Sequence, residues 1–145
     1  SGRWNRYGAT AARLEEYETA RDAFQRALRE EPGNIAARTN LGAIEFIRGS
    51  YARALAAFRS LERELQTGSE GNERLAVTVS INLARTLYEL GRFDEAEDYL
   101  TQAHEIDPRE AAQFAYIADP ASSGGARASG AERGPRILFV EEEPE

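Results

Sequence analysis

The sequence repeats itself, and that self-similarity limits the possible folds more than any other feature. With Ala20, Ala54 and Ala96 superimposed, the first spacing is 34 residues and the second is 42, or 34 with an eight-residue insertion. The register holds elsewhere: Tyr7-Gly8 falls on Leu41-Gly42 and Leu83-Ala84, Tyr17 on Tyr51 and Phe93, Phe24 on Phe58 and Leu100. Ala27 falls on Leu61 and Ala103, and Pro32 on Gln66 and Pro108. A unit of this length buries only part of its apolar surface alone, so units of this kind are stable when stacked.

Within each unit the residues describe two helices. Small residues stand where two helices cross closely: Gly8, Gly42 and Ala84 on the first helices, Ala20, Ala54 and Ala96 on the second. Large apolar residues around them fill the space, as native packing density requires. Turns fall at 14–17, 48–51 and 91–94, where Gly49 and Gly91 suit a helix end that needs positive φ. Pro32-Gly33 and Asp107-Pro108 break the chain between units. These signals predict first helices near 3–14, 35–48 and 72–90, and second helices near 18–30, 52–66 and 94–106. Phe24, Phe58 and Leu100 are the expected core.

The pattern resembles that of the tetratricopeptide repeat family, W-x2-L-G-x2-Y…A-x3-F…P. The first unit carries Trp4, Tyr7, Gly8, Ala20, Phe24 and Pro32, with Ala11 where the pattern has a large aromatic. The second carries Leu41, Gly42, Ala54 and Phe58, with Arg38 and Gln66 in the tryptophan and proline places. The third carries Leu83, Ala96 and Pro108, with Ser80 and Ala84 as its departures. The resemblance spans about residues 2–108. It implies an all-α fold, a right-handed superhelix of three helix pairs over 1–34, 35–68 and 77–108, with an insertion at 69–76. A capping helix is expected at 109–118, with Phe114, Tyr116 and Ile117 covering the exposed end of the last pair, as solenoids require.

Composition excludes most catalytic chemistry. There is no cysteine, so disulfides, thiolate metal sites and cysteine nucleophiles are absent. All 18 basic residues are arginine, which removes lysine Schiff bases and phosphate-binding P-loops. His104 is the lone histidine, near the end of a second helix, where a cation suits the helix dipole. No G-x-S-x-G motif supports a serine nucleophile. The pairs Glu15-Glu16 and Asp94-Glu95 sit at turns where solvation explains them, and the run 141–143 fixes no coordination number. No enzyme, cofactor or metal is expected. Residues 1–68 hold eleven arginines against nine acids, and residues 69–145 seven against sixteen, so the excess of negative charge lies in the second half. No concentrated basic face points to nucleic acid. With a mean hydropathy of −0.58 and apolar runs of only a few residues, no membrane span is expected. The chain opens on Ser1-Gly2 without an initiator methionine, as an excised or processed chain would.

The expected function is therefore binding. The resemblance implies that first helices line a concave groove that receives an extended peptide from a protein partner. By register the lining includes Asn5, Arg6, Ala9 and Arg13 from the first unit. The second supplies Ala36, Thr39, Asn40, Ala43 and Ile47, and the third Thr78, Asn82, Arg85 and Glu89. Asn40 and Asn82 stand where these repeats often carry an asparagine, whose amide both donates to and accepts from a peptide backbone. Arg6, Arg13 and Arg85 are candidate donors for ligand carboxylates. Members that clamp a terminal carboxylate use lysines, an arginine and asparagines. Asn5, Ala9, Thr78 and Asn82 replace four of those places, which argues against such a clamp.

The C-terminal region changes character. Residues 119–134 read as a flexible Ala/Gly/Ser/Arg linker. Residues 135–145 follow, with Ile137, Leu138, Phe139 and Val140 before Glu141, Glu142 and Glu143. Four consecutive large apolar residues left exposed invite aggregation. Either this segment docks on a repeat surface, with Glu141 and Glu142 beside arginines, or it begins a further domain. A docked tail, held in its own chain or exchanged with a neighbouring copy to give a homodimer, makes structural self-association the alternative function.

Overall fold

The computed structural model describes residues 1–66, 72–118 and 136–141. Six helices follow in antiparallel succession: α1 (Gly2–Arg13), α2 (Tyr17–Glu30), α3 (Ile35–Ile47), α4 (Tyr51–Gln66), α5 (Glu73–Glu89) and α6 (Phe93–Ile106). Among the described residues there is no strand. Each odd helix packs on the even helix after it, α2 packs on α3 and α4 on α5, and α1, α3 and α5 also touch in sequence. The chain is thus an all-α stack of three helical hairpins.

The small positions have a measurable cause. A Cβ added to Gly8 would meet Phe24 Cε1 at 2.5 Å, and one added to Gly42 would meet Phe58 Cε1 at 2.7 Å. Hydrogen at these two sites lets an aromatic ring from the second helix lie against the backbone of the first. The third hairpin trades both partners at once, with Ala84 and Leu100 in the equivalent places. Phe24 and Phe58 are fully buried and Leu100 is 7% exposed.

The turns inside the hairpins share one conformation. Gly49 and Gly91 have φ of 83° and 79°, and Glu15, at the equivalent place in the first hairpin, has φ of 61°. Glutamate thus takes a left-handed conformation that an L side chain resists. Between the first two hairpins, Asn34 caps α3 by accepting from Ala37 N at 2.9 Å. The helix starts at Glu73, so residues 73–76 of the insertion lengthen α5 by about a turn. Residues 67–71 and the linker lie outside the described residues.

The cap differs from the single helix expected over 109–118. Asp107 caps a short α7 (Pro108–Ala112), and a 3-10 turn (Ala115–Ala118) follows. Ala111, Phe114 and Ile117 are the buried residues here, and their spacing of three matches a 3-10 period of three residues per turn. Both pieces pack on α6.

Polar links tie the outer surfaces together. Tyr99 Oη donates to Glu62 at 2.9 Å, and Arg59 reaches Glu95 at 3.3 Å, joining α4 to α6. Within the second hairpin Arg38 pairs with Glu64 at 2.5 Å. The hydrogen bond from Arg38 holds the Glu64 carboxyl below the usual carboxylate range.

Candidate functional site

The face formed by α1, α3 and α5 carries an extended segment of the chain, residues 136–141. Two asparagines meet it in the same way. Asn40 Oδ1 accepts from Val140 N, and Asn40 Nδ2 donates to Val140 O, both at 2.7 Å. Asn82 Oδ1 accepts from Leu138 N at 2.9 Å, and its Nδ2 donates to Leu138 O at 3.0 Å. A carboxamide presents one acceptor and one donor side by side, so it pairs with the N–H and C=O of a single residue as a neighbouring strand would. The two residues held are two apart, the period at which an extended chain presents the same edge.

Asn40 and Asn82 hold equivalent places in their hairpins, each just before the Leu-Gly or Leu-Ala pair. The equivalent residue of the first hairpin is Arg6, which is exposed. The first hairpin instead contributes Asn5, one position earlier and fully buried. Asn5 Nδ2 donates to Val140 O at 3.0 Å and lies 3.5 Å from Glu141 O, while Asn5 Oδ1 accepts from Asn40 Nδ2 at 2.7 Å. Asn5 and Asn40 therefore satisfy each other and the segment, and Asn82 is satisfied by the segment alone, as buried polar groups require.

The side chains of the segment also have seats. Phe139 stacks on Phe24, ring centres 6.2 Å apart and 18° from parallel. Val140 is buried with Ala36 and Leu75, and Ile137 joins the main core. Glu141 pairs with Arg13 at the α1 end. The segment thus enters beside the third hairpin and ends beside the first, antiparallel to the order of the hairpins. Six extended residues span about 17–20 Å, which carries the segment from the third hairpin to Glu141 beside the first.

The remaining expected lining residues divide. Thr78 borders a cavity of about 160 Å³ that flanks the segment, along with Arg13, Arg74 and Glu110. Thr39 is buried but donates to Ile35 O within its own helix at 2.8 Å. Ile47 packs against the core. Arg85 is buried, and its Nε and Nη1 have no hydrogen-bond partner among the described residues. It pairs with Glu89 at 2.7 Å, and its guanidinium lies 5.2, 5.4 and 5.8 Å from the ring centres of Phe46, Tyr88 and Tyr116. Of the three arginines expected to serve carboxylates, Arg13 is the one beside an acid of the segment. Glu142 lies outside the described residues.

No group of three or more His, Cys, Asp or Glu that could hold a metal occurs among the described residues. Among them, no helix is long and apolar enough to cross a membrane. Stacked hairpins with one face occupied by an extended chain define a helical-repeat scaffold. Family models of the tetratricopeptide repeat match residues 2–34 and 34–109, and the chain belongs to that family. A comparison with curated proteins found no match. The family serves generally as a non-catalytic protein–protein interaction module, so protein partners are the class to expect.

Proposed function

We propose that the face of α1, α3 and α5 is a groove that binds an extended protein segment chiefly through its backbone. The observation that carries this reading is the pair of two-point contacts, Asn40 on Val140 and Asn82 on Leu138. An extended chain in solution already satisfies its N–H and C=O groups with water. Two buried carboxamides, each holding both groups of one residue, replace that hydration without loss. The chain's own residues 136–141 act as one such segment.

The test is a titration of the chain carrying Phe139→Ala and Glu141→Arg, which weaken the hold of its own tail, with a peptide of residues 135–145, followed by side-chain and backbone NMR shifts. Shifts should gather on Asn5, Arg13, Asn40, Thr78 and Asn82. Shifts gathered on the opposite surface, at Arg59, Glu95 and Tyr99, would remove the groove.

A further inference from the structure

We infer that the external partner of this groove carries an internal segment of the tail's own pattern, and that residues 136–141 hold its place until it arrives. The pattern is two aliphatic residues, an aromatic, a β-branched residue and an acid, running from the third hairpin towards the first. This inference rests on the groove reading proposed above.

Each position of the pattern has a physical reason. The aromatic stacks on the Phe24 ring, at the end of the groove where the first hairpin supplies Ala11, Ala12 and Ala20 as small neighbours. The β-branched residue is buried against Ala36 and Leu75, and β-branching suits the extended backbone that the clamp holds. The acid follows at once because Arg13 stands beside it at the end of α1. The segment is internal rather than a chain end, because the group that Asn5 Nδ2 faces at 3.5 Å is the peptide carbonyl of Glu141 and not a terminal carboxylate. The two aliphatic residues precede the aromatic because Ile137 is buried within the main core and the Leu138 side chain packs against it, while Asn82 holds the Leu138 backbone.

The tail fits loosely enough to be displaced. The cavity beside Leu138 and Val140 remains unfilled by it, and both members of the Arg13–Glu141 pair are about half exposed. Tethering compensates for weak contacts. Attachment to the same chain sets an effective concentration of about 1 mM, so a segment with an intrinsic Kd of about 100 µM is mostly docked, and a competitor loses about tenfold in apparent affinity.

The experiment uses the full chain and a fluorescent peptide of residues 135–145. Its Kd is measured on the wild-type chain and on a chain carrying Phe139→Ala and Glu141→Arg, whose own tail is weakened. The peptide should bind the weakened chain about tenfold more tightly. On that chain, a peptide with Phe139→Ala should lose about tenfold and one with Glu141→Arg up to about fivefold. Adding Arg13→Glu to the weakened chain should restore binding of the Glu141→Arg peptide.

If all three peptides bind equally, yet Asn40→Ala and Asn82→Ala abolish binding, the groove stands and the partner pattern is wrong. If no peptide binds the weakened chain, the groove reading itself fails. Concentration-dependent dimers of the wild-type chain in light scattering would make the occupant a second copy and overturn the inference.

Discussion

Replacing Asn40 with alanine should separate the tail from the fold. Asn40 is fully buried and makes three hydrogen bonds, all at 2.7 Å: two with Val140 and one with Asn5. In the docked state the substitution leaves Val140 N without its acceptor, while Val140 O keeps Asn5 Nδ2 at 3.0 Å. A lost net hydrogen bond costs about 1 kcal/mol, and an unsatisfied buried donor about 1–3 kcal/mol. Undocking returns that donor to water, so the docking equilibrium should weaken by roughly 2–3 kcal/mol, about 30- to 150-fold. The helical hairpins feel a different balance. They lose the Asn5–Asn40 bond, worth about 1 kcal/mol, and gain about 0.5–0.7 kcal/mol from alanine's better helix propensity. Amide exchange reads both effects in one experiment. Val140 and Leu138 should lose protection while the interiors of α2 and α4 keep theirs. Unchanged protection at Val140 would refute the clamp. An equal loss in α2 and α4 would show that Asn40 is a core residue with no particular hold on the tail.

Other perturbations follow from the same coordinates. Phe24→Ala should cost about 3–5 kcal/mol in a denaturant melt and also free Phe139, whose ring would lose its partner. Gly42→Ala brings a methyl to 2.7 Å from Phe58. Overpacking of about 1–3 kcal/mol outweighs a helix gain of about 1 kcal/mol, and adding Phe58→Leu should recover much of the loss in the same melt. Glu15→Gly relieves a left-handed glutamate and should raise stability by up to about 1 kcal/mol, net of the entropy that glycine adds to the unfolded chain. The Glu64 carboxyl, held low chiefly by its hydrogen bond from Arg38, stabilises the fold fully above the ordinary carboxylate pKa and loses that contribution as pH falls through its own lowered value. Glu64→Gln should therefore flatten the acid limb of a stability–pH curve below about pH 4.5 and leave its shape near neutrality unchanged.

The hairpins were legible because their signals are local and periodic. Small residues at a fixed offset recur in all three units, and a glycine at the turn and a proline between units each recur in two of the three, every signal acting within one repeat. The cap was legible as a cap but not as two pieces, because a burial period of three differs too little from 3.6 over ten residues. Asn40 and Asn82 could be singled out by register, and their pairing with alternate residues follows from the geometry of an extended chain. Register pointed equally to Arg6, which is exposed, and gave Asn5 no special weight over its neighbours. What distinguishes Asn5 is its bond to Asn40, a contact across 35 positions that no local pattern encodes. The burial of Arg85 was not legible for a similar reason. Its aromatic neighbours Phe46 and Tyr116 come from other elements, and only the packed structure brings them around its guanidinium.

The contact of Gly8 with Phe24, and of Gly42 with Phe58, lies inside one hairpin each and never between hairpins. Each hairpin therefore carries its own fastening and can be treated as a cassette. A second copy of residues 33–66, one 34-residue period that includes the Asn34 cap, inserted before Gly33 would bring its own glycine, its own ring and its own groove-facing asparagine. The duplicated protein should close around its core without redesign of its neighbours. It would differ from its parent mainly in length of recognition, holding one more residue of an incoming chain for every cassette gained. Growth by duplication would thus leave the chemistry of each clamp untouched while lengthening the text that the protein can read.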